Sequence, residues 1–134
     1  MKKIIVSLLI VIAGIFSFTT AKAQNPHFNS GPCLSADGRT ITGVATGLGT
    51  GPITVVVSGQ SDCINPAGNA PPSWQDFSIS QNIAKSRGGN FYISVSISSL
   101  CNKRWTLETQ NLVVTIWYNN GSSSFSTPVT ANCQ

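Results

Sequence analysis

The sequence predicts an all-β fold on three observations. Phe91, Ile93, Val95 and Ile97 alternate with Tyr92, Ser94, Ser96 and Ser98, a period of two that gives a strand one apolar face. Turn-forming residues separate such runs, and no stretch beyond residue 23 sustains helical spacing. Four isolated cysteines, Cys33, Cys63, Cys101 and Cys133, read as two disulfides of an exported domain.

Export is read from the N-terminus. Lys2 and Lys3 precede the apolar run Ile4–Phe16, and Ala21-Lys22-Ala23 supplies the small-x-small pattern of a cleavage site before Gln24. Residues 1–23 are therefore expected to be a signal peptide of bacterial style. The apolar run is short for a membrane span, which needs about 20 residues. Residues 24–134 are then expected to form one domain of 111 residues, secreted, periplasmic or held at the cell surface, with no span of its own.

Charge narrows the partners. The chain carries 8 Lys+Arg and 4 Asp+Glu, but Lys2, Lys3 and Lys22 leave with the leader. What remains is Arg39, Lys85, Arg87, Lys103 and Arg104 against Asp37, Asp62, Asp76 and Glu108, a net charge of +1. Five scattered cations do not build the basic field that nucleic acid requires.

The strands follow in order. Thr40–Thr46 contains Ile41 and Val44 three apart, so a β-bulge at Gly43 is expected to bring both to one face. The segment Gly47–Pro52 reads as a hairpin turn leading into Pro52–Gly59, where Ile53, Val55 and Val57 share a face. It has neither the spacing nor the following helix of a phosphate loop. Phe77–Ser80, Phe91–Ile97 and Trp105–Glu108 come next. Leu112–Tyr118 is apolar on both faces, as a central strand covered on both sides would be. Asn119-Asn120-Gly121 is a strong hairpin signal before Ser124–Ala131, whose Pro128 favours a sheet edge. About seven short strands at even spacing point to an antiparallel two-sheet sandwich, Ig-like in architecture. Folding about Gly49 favours a Cys33–Cys63 pair and folding about Asn120-Gly121 favours Cys101–Cys133, among the three pairings four cysteines allow.

Catalytic groups are sparse. No C-x-x-C pair exists, and the single histidine, His27, lies in a terminus expected to be flexible, so neither a metal nor a cofactor is expected. Asp37 sits in an Asp-Gly turn, the other carboxylates are far apart in sequence, and no serine occupies a G-x-S-x-G elbow. Lys103-Arg104 with Lys85 and Arg87 read as solvated turn charges, the alternative being a small basic patch that they form together. No catalytic residue is assigned. Aromatic residues carry the binding expectation instead: Trp74, Tyr92 and Trp117 are the candidate ligand contacts. Trp105 is expected between the sheets, and Trp117 is open between core and surface. Pro71-Pro72 extend the arm that holds Trp74, which either faces a ligand or closes one end of the sandwich.

The segment Cys63-Ile64-Asn65-Pro66-Ala67-Gly68-Asn69, after Gly47-Leu48-Gly49 and a valine-rich strand, carries a resemblance. It is similar to a C-x-N-P-x-G-N segment in a group of short exported bacterial β-sandwich proteins, and Cys101 to Trp105 resembles their cysteine-then-tryptophan segment. The region after Trp74 departs from that pattern. The group has no established activity, so the resemblance implies the fold and no chemistry. The expected function is a non-enzymatic module that binds a carbohydrate or a surface protein. The alternative is a structural subunit of a surface assembly, polymerising through sheet edges.

Overall fold

The alternation of Phe91, Ile93 and Val95 with exposed Tyr92, Ser94 and Ser96 is realised as strand β5, Phe91–Ser96. The computed structural model describes residues 25–68, 70–84 and 89–133, so the leader, Lys85 and Arg87 lie outside the described residues. The other strands are β1 (His27–Leu34), β2 (Thr40–Thr46), β3 (Ile53–Ile64), β4 (Gln75–Ile83), β6 (Thr106–Tyr118), β7 (Ser123–Pro128) and β8 (Thr130–Ala131). They form two four-stranded sheets, ordered β5-β2-β1-β8 and β4-β3-β6-β7. Every pair is antiparallel except β1 with β8.

The inner faces supply the core of a sandwich. Ile41, Ala45, Ile93 and Val95 of one sheet meet Ile53, Val55, Val57, Val114 and Ile116 of the other, all at most 2% exposed. Burying each such side chain contributes about 1.5–3 kcal/mol, and alternation confines that gain to one face of each strand. Phe28, Tyr118 and Phe125 close one end, with ring centroids 5.6 Å apart for Phe28–Phe125 and 6.4 Å for Tyr118–Phe125.

Several expectations are corrected. Gly47–Pro52 is not a hairpin turn: β2 pairs with β1 and β5, β3 pairs with β4 and β6, and the segment carries the chain between sheets. Leu48 within it is buried at 2% exposure, and that burial draws the connection across the sandwich end. The cysteine pairing built on that hairpin falls with it. The disulfides are Cys33–Cys133 and Cys63–Cys101. Cys33 and Cys63 stand in different sheets; β8 runs parallel beside β1, with Cys33 opposite Thr130, and carries Cys133 to Cys33. Cys101 precedes β6, whose Leu107 lies opposite Cys63.

Gly43 is not a bulge either. The β2–β5 register runs unbroken from Thr40 to Ala45, and the shifts fall in β1, between Phe28 and Ser30 and between Ser30 and Cys33. Gly43 faces inward with Ile41 and Ala45, while Val44 faces out opposite Tyr92. A Cβ at Gly43 would lie 3.0 Å from the Phe28 ring, so its missing side chain is the space that ring fills. His27 begins β1 opposite Thr46, and the terminus there is strand.

Thr106–Glu108 and Leu112–Tyr118 belong to one strand, β6, and Trp105 stands just before it. The register slips between Ser58 and Gln60, where Asn111 adopts φ 54°. The hairpin at Asn119-Asn120-Gly121 forms as expected, with φ 51°, 55° and 80°. Pro128 ends edge strand β7; lacking an N–H, it cannot extend the ladder, and after Val129 the chain joins the other sheet as β8.

Candidate functional site

Two places outside the core concentrate tryptophan and polar side chains. The first is the outer face of the β4-β3-β6-β7 sheet. Register aligns three rows across the strands: Asn82, Thr54, Trp117 and Ser124; then Ser80, Val56, Thr115 and Ser126; then Ser78, Ser58, Val113 and Pro128. None of these side chains is charged. Thr54 Oγ1 donates to Asn82 Oδ1 at 2.9 Å, and Thr115 and Ser126 share a hydroxyl hydrogen bond at 2.7 Å. Trp117 rises from this grid at 41% exposure. β6 is central in its sheet, yet only its inner face is covered, contrary to the expectation of cover on both sides.

The second place is the end of the same sheet that holds Cys63–Cys101. There the connection from Asn65 to Trp74 folds over β3. Asn65 Oδ1 accepts from the Ala67 N–H at 3.0 Å, and the Gly68 N–H donates to the Asn65 carbonyl at 2.9 Å. Asn at the first position, Pro66 at the second and Gly68 at the fourth are the residues this turn favours. The Asn65–Ser73 connection and Trp105 enclose a cleft of about 290 Å³. Trp105 is 38% exposed and stands outside the core, against the expectation that it packs between the sheets. It precedes the first residue of β6, beyond the covering strands. Arg39 holds the backbone there: Nη2 donates to the Trp105 carbonyl at 2.8 Å and to the Asn102 carbonyl at 3.3 Å.

The three residues singled out from sequence do not form one platform. Tyr92, 77% exposed, lies on the outer face of the other sheet, on the opposite side of the sandwich from Trp117. Trp74, 36% exposed, precedes β4 at the disulfide end. Thr54 beside Trp117 and Asp62 near Trp74 are separated by roughly 25 Å of strand at ~3.3 Å per residue.

Asp62 and Trp105 were not singled out as contacts, yet they share the cleft. The carboxylates are also less scattered than their spacing in sequence implied. Glu108 lies directly opposite Asp62, and Asp76 lies opposite Gln60, two residues along β3. Gln60 Nε2 donates to Asp76 at 2.9 Å and Gln60 Oε1 accepts from Gln110 at 2.8 Å, so these side chains share one side of the sheet. Asp37 stays apart in its turn. The Ser35 hydroxyl, and after it the Arg39 backbone N–H, hold the Asp37 carboxyl below its ordinary value near 3.8. Among the described residues, no group of three or more His, Cys, Asp or Glu is arranged to hold a metal ion.

Comparison with known proteins finds no matching family model, no matching curated protein and no matching solved structure. Among the described residues no helix is long and apolar enough to cross a membrane. Two disulfides fit an extracellular or otherwise oxidising environment.

Proposed function

We propose that the chain is an exported, non-enzymatic binding module whose ligand is a carbohydrate, taken on the outer face of the β4-β3-β6-β7 sheet. One observation carries this reading: an indole set in a grid of Ser, Thr and Asn side chains, interleaved with Val56, Val113 and Pro128, with no charge in three rows. A pyranose offers C–H groups to an aromatic face and hydroxyls to neutral donors and acceptors, so indole and grid meet both halves of its chemistry. The reading is non-catalytic because glycoside hydrolysis needs carboxylates flanking the bond. Asp62 and Glu108 lie at the far end of the sheet, roughly 25 Å from Trp117, and Asp76, opposite Gln60, lies roughly 20 Å from it. A protein surface as ligand is the nearest rival, since exposed aromatics also anchor protein interfaces.

Retention on a panel of insoluble neutral polysaccharides tests the proposal. The expected result is retention on at least one of them, with loss of retention in Trp117→Ala. No retention on any, or equal retention of the variant, would overturn it. The assembly alternative requires pairing at open edges such as β4 or β5, and a concentration-independent monomer by light scattering rules against it.

A further inference from the structure

The acidic end of the sheet supports a site beyond the carbohydrate reading. Asp62 and Glu108 are paired cross-strand neighbours, so their Cβ atoms lie about 4.5–5.5 Å apart on one side of the sheet. Like charges placed directly opposite destabilise a sheet. Asp76 adds a third carboxylate on that side, engaged by Gln60. Three of the four acidic residues of the chain thus gather on adjacent strands β4, β3 and β6.

Asp62 is the odd member of the group. It is 7% exposed, and its side chain makes no hydrogen bond or ion pair among the described residues. An ionised carboxylate taken from water without a partner costs several kcal/mol, so a buried one is ordinarily paired. Among the described residues the only fully enclosed polar side-chain atom without a partner is Arg39 Nη1. The Asp62 side chain is therefore not sealed off: Asp62 borders a cleft of about 350 Å³ shared with Asp76 and a cleft of about 290 Å³ shared with Trp105. The second cleft has Ile64, Asn65, Pro71, Ser73 and Trp105 among its other walls. Among the described residues Asp62 is the only charged wall of this cleft.

This combination selects a ligand class. An anion is repelled by three carboxylates. An uncharged ligand leaves Asp62 without charge compensation. Calcium or magnesium needs a shell of six or more oxygen donors, and among the described residues no group of three or more His, Cys, Asp or Glu converges to hold a metal ion. An organic cation meets all the terms at once. Its charge pairs with Asp62, its field suits the face of the Trp105 indole, and its hydrocarbon stem packs on Ile64 and Pro71.

We propose that this cleft binds an alkylammonium group, held between the Asp62 carboxylate and the Trp105 indole. Glu108 and Asp76 supply the surrounding negative field. A free amine and a lysine side chain present the same group.

Titration of the ¹⁵N-labelled protein with n-butylammonium chloride, Nα-acetyl-lysine amide and n-butanol tests the proposal by following the Trp105 indole N–H. Saturable shifts are expected with both amines and none with the alcohol. The two amines separate the sources: a stronger response to acetyl-lysine amide points to a protein partner, a stronger one to butylammonium points to a free amine. Asp62→Asn should weaken amine binding about tenfold, the loss of one charge-assisted contact. Its dispersed spectrum and intact disulfides would show that it still folds. Trp117→Ala should leave amine binding unchanged, so failure here is separable from failure of the carbohydrate reading. Equal shifts with n-butanol, unaltered amine affinity in folded Asp62→Asn, or no saturable shift with either amine would each overturn the proposal.

Discussion

Arg39 Nη2 donates to the carbonyl of Trp105 at 2.8 Å, a charge-assisted bond from one sheet of the sandwich to the entry of a strand in the other. The Arg39 carbonyl itself accepts from the Ile97 N–H at 2.9 Å. One residue thus joins the β1–β2 turn, the end of β5 and the start of β6. It ties down the backbone at Trp105, where the chain enters β6.

Removing this tie should loosen the Trp105 side of the cleft and lower stability. Hydrogen bonds to charged groups are worth about 1.5–3 kcal/mol, so Arg39→Ala should cost roughly 2 kcal/mol in urea unfolding. Arg39→Lys should recover only part of this, because a freely rotating ammonium on a flexible stem is not held in the fixed plane from which Nη2 reaches both the Asn102 and Trp105 carbonyls.

The cysteine pairing makes a second prediction. Proteolysis without reduction should yield linked peptides containing Cys33 with Cys133 and Cys63 with Cys101. A Cys33–Cys63 peptide would contradict the topology. The bridges span sequence separations of 100 and 38 residues, and closing loops of those sizes contributes about 4.7 and about 4 kcal/mol in the chain-entropy model. The double substitution Cys33→Ser/Cys133→Ser should therefore unfold at lower denaturant than Cys63→Ser/Cys101→Ser.

Where the sequence was legible, the reason is periodicity. Alternation in Phe91–Ile97 and Ile53–Val57 locates two strands because each buries one face, and Asn119-Asn120-Gly121 locates a hairpin because its residues tolerate positive φ. β1 was not legible: HFNSGPCL has two register shifts and no alternation to read. Turn residues also mark where a chain changes direction without saying which sheet it enters. The segment around Gly49 is such a case: it passes from one sheet to the other, and the cysteine pairing depends on that passage. The carboxylates show the same limit, since register, which sequence spacing does not display, brings Glu108 opposite Asp62.

Gly43 carries a third prediction. An added methyl would meet the Phe28 ring at 3.0 Å and the Ser30 carbonyl at 3.2 Å. Gly43→Ala should destabilise the domain by about 1–3 kcal/mol, the usual cost of overpacking, and disturb the Phe28–Phe125 contact. A midpoint unchanged in urea would show that Phe28 moves aside freely.

The fourth concerns pH. The Asp37 carboxyl is held below its ordinary value first by the Ser35 hydroxyl and then by the Arg39 N–H. A depressed folded value means that the contribution to stability is present above the unfolded carboxylate range and is lost as pH falls through the folded value. Ser35→Ala should raise the Asp37 titration midpoint toward 3.8, read by carboxyl carbon shifts. A midpoint that does not move would assign the depression to Arg39 alone.

The binding face is tested most directly by affinity electrophoresis in native gels containing a soluble neutral polysaccharide. The account predicts that the wild-type chain is retarded, that Trp117→Ala runs as in a gel without polysaccharide, and that Asp62→Asn is retarded like the wild type. Equal retardation of Trp117→Ala and the wild-type chain would contradict it.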